Sequence, residues 1–76
     1  MEAITRAELR RIGKAIRAAR QGLKVSQEKF AEMADIDRTY ISRIELGDVN
    51  LSWEITARIA RALRVKPSTL LHRAGL

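Results

Sequence analysis

Two helix-start signals stand close together in the middle of this chain, and each carries the same reinforcement. Ser26 is a good N-cap with Glu28 in the first turn, where the helix dipole favours an acid. Val25 before the cap and Phe30 beyond it have the spacing of a hydrophobic staple, and Ile36 and Ile41 repeat that spacing around a second N-cap, Asp37. Staples on both sides of a three- or four-residue turn fix the angles at which the chain enters both helices. The stretch SQEKFAEMADIDRTYISRIELG is therefore restricted to two short helices held rigidly at a tight turn. Phe30, Ala31 and either Met33 or Ala34 point inward from the earlier helix, which ends near Ala34. Ile41 and Ile44 form the inward face of the later one, with Leu46 a candidate to join them, and Gly47 closes it.

The flanking sequence reads as three more helices and no strand. The first runs from about residue 5 to 21, with Leu9, Ile12, Ile16 and Ala19 as an apolar stripe and Gly22 as a left-handed stop. The central pair spans about 26–34 and 37–46. After the short loop DVNL, Ser52 caps a fourth helix over about 52–64, whose stripe is Ile55, Ile59, Ala60 and Leu63. Pro67, favoured at a first helical position, opens a last helix over about 67–73 that offers Leu70, Leu71 and Ala74. Five helices joined by short loops, with no repeat or long linker, predict one compact all-α domain over residues 1–76.

A 76-residue domain is near the lower size limit for a self-sufficient core, and without cysteine it has no disulfide or thiolate metal site to staple it. A partner subunit is the natural supplement, and Leu70, Leu71 and Leu76 exceed what a small core needs, so a homodimer surface is expected there. No apolar run approaches the length of a membrane span or a signal peptide, and the absence of cysteine suits the cytoplasm. A membrane-surface role for the first helix is disfavoured because its apolar stripe is narrow and needed by the core.

Polar chemistry concentrates on the second helix of the central pair. Residues 39, 42 and 43 share one helical face, as do 38 and 42, so Arg38, Thr39, Ser42 and Arg43 can be presented together to a DNA major groove. Arg38 in the first turn can donate two hydrogen bonds to a guanine edge, with a phosphate contact as the alternative. Thr39 can meet a base edge or a thymine methyl, or simply be a tolerated helical residue. Tyr40 either touches the DNA backbone or pins its helix to the one before. Arg43 is read as a base or phosphate contact, a long cation with little else to do there. The net charge of +6 favours a polyanion, and it is uneven: Arg6, Arg10, Arg11, Lys14, Arg17, Arg20 and Lys24 face the single acid Glu8 over residues 6–24. Arg17, Lys24 and Asn50 are candidate phosphate contacts. Glu45 would repel phosphate if exposed and is expected to pair with Arg17 or Arg20. Trp53 is read as core or interface, and His72 as a surface residue.

The run Ser26-Gln27-Glu28, with Ala31, Ile36, Tyr40-Ile41-Ser42, Ile44-Glu45 and Gly47, resembles the helix-turn-helix of the phage-repressor type, the bacterial XRE family. The resemblance covers about residues 8 to 72. It implies a five-helix λ-repressor-like fold with the helix-turn-helix at the second and third helices, and a bacterial or phage-encoded protein. It also implies that Gln27, at the start of the second helix, approaches the DNA backbone, where free helix N–H groups can hold a phosphate. Within the family, IDRTYISRIELGDVNLS is similar to the controller proteins of restriction–modification systems. Those controllers usually have Gly where this chain has Arg43 and a basic residue where it has Leu46. The family commonly has Gly in the turn where this chain has Asp35, a residue type that tolerates a left-handed backbone.

The function these features imply is sequence-specific binding of double-stranded DNA by a homodimer on a pseudo-palindromic operator, for transcriptional control. Its half-sites would be about 34 Å apart. No cofactor and no small-molecule effector are expected. The alternative is an antitoxin or other protein-interaction module whose DNA binding is autoregulatory. An enzyme is disfavoured: there is no cysteine nucleophile, a single His, no glycine-rich phosphate loop, and the pair Glu28 and Glu32 has no ligand His beside it.

Overall fold

The computed structural model describes residues 4–76, so the first three residues of the N-terminal segment MEAITRAELRR lie outside the described residues. Helix α1, Arg6–Gly22, opens on a reciprocal capping box that was not anticipated. Thr5 Oγ1 accepts from the Glu8 N–H at 3.0 Å, while the Thr5 N–H donates to Glu8 Oε1 at 2.8 Å. That backbone hydrogen bond, helped by the Thr5 hydroxyl, holds the Glu8 carboxyl below the ordinary glutamate range. A carboxyl depressed in the folded state lends stability above its unfolded pKa and loses it as the pH falls through the lowered folded value. An NMR titration should place the Glu8 midpoint below the usual value of about 4.3. A midpoint at or above that value would mean the box is open in solution.

The next three helices start as the caps predict. Ser26 Oγ accepts from the Lys29 N–H ahead of α2, Gln27–Ala34; Asp37 Oδ1 accepts from the Thr39 N–H ahead of α3, Arg38–Glu45; and Ser52 Oγ accepts from the Ile55 N–H ahead of α4, Trp53–Leu63. Each such cap contributes about 1 kcal/mol. Helix α5, Pro67–Arg73, has no side-chain cap and relies on Pro67 at its first position. No strand occurs among the described residues.

The C-terminal ends differ more from expectation. Gly22 remains helical, and the left-handed residue is Lys24 at φ 60°, because Leu23 winds on and donates its N–H to Ala19 and Arg20. Asp35 does take the left-handed turn position, at φ 55° and ψ 50°, and the Ile36 N–H closes the turn on the Ala31 carbonyl at 3.0 Å. Arg64 repeats this geometry after α4, with the Val65 N–H on the Ala60 carbonyl.

Helix α1 packs on α3, α4 and α5, and α2 packs on α3 and α4, around a core of Ile12, Ile16, Phe30, Ala31, Ile41, Ile44, Ile59, Leu63, Leu70 and Ala74. Both staple partners, Val25 and Ile36, pack against that core. Several expectations need correction here. Leu70 is fully buried within the protomer, filling space between α5 and the other helices, so it is not available as a dimer contact. Leu46 and Met33 are exposed, leaving Ala34 as the inward residue of α2. Of the two places open to Trp53, core or interface, the core is ruled out: it is 70% exposed as the first residue of α4.

Candidate nucleic-acid interface

Two close backbone approaches and one buried ion pair set the position of α3. A Cβ on Gly13 would stand 2.5 Å from the Ile44 carbonyl oxygen and 2.6 Å from that of Glu45, so α1 touches the last turn of α3 directly. Gly47, at φ 71°, follows that turn and lies so near Arg10 that a Cβ would come within 2.6 Å of its Cα. Between these contacts Glu45 turns inward rather than toward solvent. Arg20 grips it with two hydrogen bonds, Nε to Oε2 at 2.7 Å and Nη2 to Oε1 at 3.1 Å, and donates a third from Nη1 to the Val25 carbonyl at 2.9 Å. Gln27 Nε2 completes the set by donating to Glu45 Oε1 at 3.0 Å. Of the two partners expected for Glu45, the structure chooses Arg20, and the acid is buried. This network ties α1, the start of α2 and the end of α3 into one body.

The turn between α2 and α3 is braced from the other side. Arg58 of α4 donates from Nη1 to the Asp35 carbonyl at 2.9 Å, and Glu54 accepts from its Nη2 at 2.8 Å. Sequence reasoning gave Arg58 no part in the site. Its i,i+4 spacing from Glu54 was legible, but nothing local points to the turn across the fold.

On the body so fixed, α3 turns its polar face outward. Arg38, Thr39 and Arg43 are exposed on α3 and Ser42 is half-buried. Of the two roles weighed for Tyr40, the structure bears on the packing one: its half-buried ring packs against the core, and its exposed hydroxyl donates to the Asn50 carbonyl at 3.3 Å. Asn50, Arg17 and Lys24 are exposed, Arg17 on α1 and Lys24 in the loop before α2. Gln27 is at the first position of α2, as the resemblance implies, with its amide engaged by Glu45. Arg43 corrects one premise. It has a partner, Asp48, whose Oδ2 lies 3.5 Å from Nε.

Three of the seven cations counted over residues 6–24 are occupied structurally. Arg20 is in the network, Arg11 donates to the Ala74 and Gly75 carbonyls at 3.0 and 2.8 Å, and Arg6 reaches Asp48 and the Gly47 carbonyl. Arg10, Lys14, Arg17 and Lys24 are exposed. The acids Glu28, Glu32, Asp35 and Asp37 line a shallow groove along the outer side of α2 and the turn, ending at Arg38. Positive charge is thus spread unevenly: it is carried by α1 and by Arg58, Arg61, Arg64, Lys66 and Arg73 toward the C-terminus, while the stretch through α2 and α3 holds most of the acids. Among the described residues no helix is long and apolar enough to cross a membrane.

Residues 13–76 match the profile of a helix-turn-helix domain family, HTH_19. An HTH-type transcriptional regulator of Mycobacterium tuberculosis, Rv0474, is 37% identical over 64 residues, which is 84% of this chain and 46% of that protein. The control protein C.BamHI of Bacillus amyloliquefaciens is 49% identical over 47 residues, 62% of this chain and 58% of that one. This chain therefore spans about half the length of these relatives. Among solved structures, the restriction-modification controller protein C.AhdI of Aeromonas hydrophila superposes with a TM-score of 0.82 at 33% identity, covering 84% of this chain and 97% of that one.

Proposed function

The chain belongs to the helix-turn-helix family of the phage-repressor, or XRE, type, and from that premise we propose that it is a sequence-specific regulator of transcription that binds double-stranded DNA as a homodimer. The observation that carries this reading is the exposed set Arg38, Thr39 and Arg43 on one face of a helix that is anchored at its C-terminal end by Gly13, Gly47 and the buried Arg20–Glu45 pair. A reading helix must hold its side chains to within a fraction of an ångström across a groove, and this anchoring supplies that rigidity. Arg38, Thr39, Ser42 and Arg43 are assigned to base edges. Gln27, Tyr40, Arg17, Lys24 and Asn50 are assigned to phosphates, with the free N–H groups at the start of α2 helping Gln27.

A dimer is supported by apolar side chains left at the surface, some of them at the edge of the core. Trp53 and Leu76 are exposed, and Ile4, Leu51, Trp53 and Leu71 line an open groove beside α4 and α5. With Leu70 withdrawn into the core, Leu71, Leu76 and Trp53 are the dimer contacts we assign. Two-fold symmetry then calls for a pseudo-palindrome with half-site centres about 34 Å apart. Similarity to C.BamHI and C.AhdI favours the control of a restriction–modification system as the regulated process, acting in the cytoplasm where the DNA lies.

Selection of bound duplexes from a random pool, sequenced after binding at about physiological salt, tests the reading directly. A two-fold symmetric motif with helical-turn spacing supports it; salt-sensitive binding with no enriched motif sinks it. On the selected site, Arg38→Ala should lose about 1–3 kcal/mol of discrimination at one base position while keeping most non-specific affinity. Equal loss on specific and non-specific duplexes would make Arg38 a phosphate contact instead.

A further inference from the structure

Arg43 does not hang free from the reading face. Its Nε lies 3.5 Å from Asp48 Oδ2, and its Nη2 donates to the Asp48 carbonyl at 3.5 Å. These two atoms make up the side edge of the guanidinium. The other edge, formed by Nη1 and the second hydrogen of Nη2, makes no hydrogen bond or ion pair among the described residues. That free edge is the fork that can donate two parallel hydrogen bonds to the O6 and N7 acceptors of a guanine. Asp48 is itself held from behind: Arg6 Nη1 lies 3.3 Å from Asp48 Oδ1 and donates to the Gly47 carbonyl at 3.3 Å. Gly47 in turn is locked against Arg10 of α1.

Resting on the DNA-binding reading above, we propose that Asp48 is a positioning residue that holds Arg43 with its reading edge presented, making Arg43 a specificity determinant of this chain. The physical case is one of differential effect. All three side chains are more than half exposed, and an exposed pair of this kind adds little to folding stability. An acid beside a DNA-facing helix also repels phosphate, so on affinity alone Asp48 is a cost. What it can supply is orientation. A free arginine side chain must give up much rotamer freedom to meet a base bidentately, and a carboxylate on its side edge removes part of that loss beforehand. The same carboxylate partly neutralises Arg43, which lowers its value on arbitrary phosphates and leaves hydrogen-bond geometry to decide where it binds.

The full chain serves for the test. The selected site, and versions with each base pair changed in turn, are titrated with the wild-type protein and with Asp48→Asn, Arg43→Ala and the double variant. Arg43→Ala identifies the base pair that Arg43 reads. At that pair alone, Asp48→Asn should reduce discrimination by roughly three- to tenfold while raising affinity for non-specific duplex, and it should change nothing further in the Arg43→Ala background. Asp48→Glu, which keeps the carboxylate, should restore part of the discrimination. A merely structural role would move the melting temperature and weaken all duplexes alike. Asp48→Asn tightening binding to every duplex equally, with the base preference intact, would overturn the proposal while leaving the DNA-binding reading standing. Failure of the wild-type protein to prefer any sequence would overturn both.

Discussion

Glu45→Ala should destabilise the domain by about 3–5 kcal/mol, because it leaves the Arg20 guanidinium buried without its counter-charge. The carboxylate is 3% exposed in its side chain and accepts three hydrogen bonds, two from Arg20 and one from Gln27. Removing it strands donors on two helices at once. A domain of this size has a total stability of roughly 4–11 kcal/mol, so the variant loses a large share of what keeps it folded. Urea unfolding followed by circular dichroism measures the change, and a loss below about 1 kcal/mol would mean that water reaches the pair and screens it. Replacing both partners, Arg20→Met with Glu45→Leu, should recover part of the loss, since a packed apolar pair is often no worse than a buried ionic one. The Val25 carbonyl and the Gln27 amide would still lack their partners, so full recovery is not expected.

The same contrast separates the two acids at the end of α3. Glu45 is buried and acts on stability; Asp48, three residues on and more than half exposed, is assigned a role in specificity with little effect on folding. Sequence alone does not sort them this way. Glu45 could be matched to a helix 1 arginine because an exposed acid there would oppose DNA binding, but Arg17 and Arg20 lie on the same helix and only packing against α3 decides between them. Asp48 gave no signal at all, since it lies in a loop five residues past Arg43 and its other partner, Arg6, reaches it only when α1 packs on α3.

Local features were legible because the physics that determines them is local. The Ser26, Asp37 and Ser52 caps, the two staples, Pro67 at a helix start and the left-handed Asp35 each depend on residues within one turn. The common orientation of Arg38, Thr39, Ser42 and Arg43 follows from helical periodicity. What failed depended on the third dimension. Leu70 and Leu71 are adjacent leucines on a short helix, and nothing in their spacing says that one fills the core while the other lies at its edge. Trp53 was open between core and interface, and only the fold, which leaves it 70% exposed at the start of α4, removes it from the core. Gly22 had the right type and place for a helix stop, but Leu23 continues the winding and Lys24 takes the left-handed position.

Gly13 is the residue whose importance is least visible in the sequence, and Gly13→Ala should lower stability by about 2–3 kcal/mol. Two effects of opposite sign compete. Within a helix, alanine is favoured over glycine by about 1 kcal/mol, so on propensity alone the substitution should stabilise α1. Against that, the new methyl carbon would stand within 2.6 Å of two carbonyl oxygens in the last turn of α3, and these are backbone atoms that cannot rotate aside. The helices must separate, which loosens packing of Ile16 and Ile44 and stretches the 2.7 Å bond between Arg20 and Glu45. Steric displacement therefore outweighs propensity. Gly22→Ala supplies the control, because nothing lies within 4 Å of a Cβ there and α1 should gain up to about 0.5 kcal/mol. Because the displaced element is the helix proposed to read DNA, Gly13→Ala should also weaken binding to a selected DNA site under conditions where the protein remains folded. Opposite signs for the two glycines in urea unfolding would establish the close approach of α1 to α3. Stabilisation by both would mean that the helices stand further apart than 2.5 Å to a Cβ allows, and that α3 is held by the ion pair and the Gly47 contact alone.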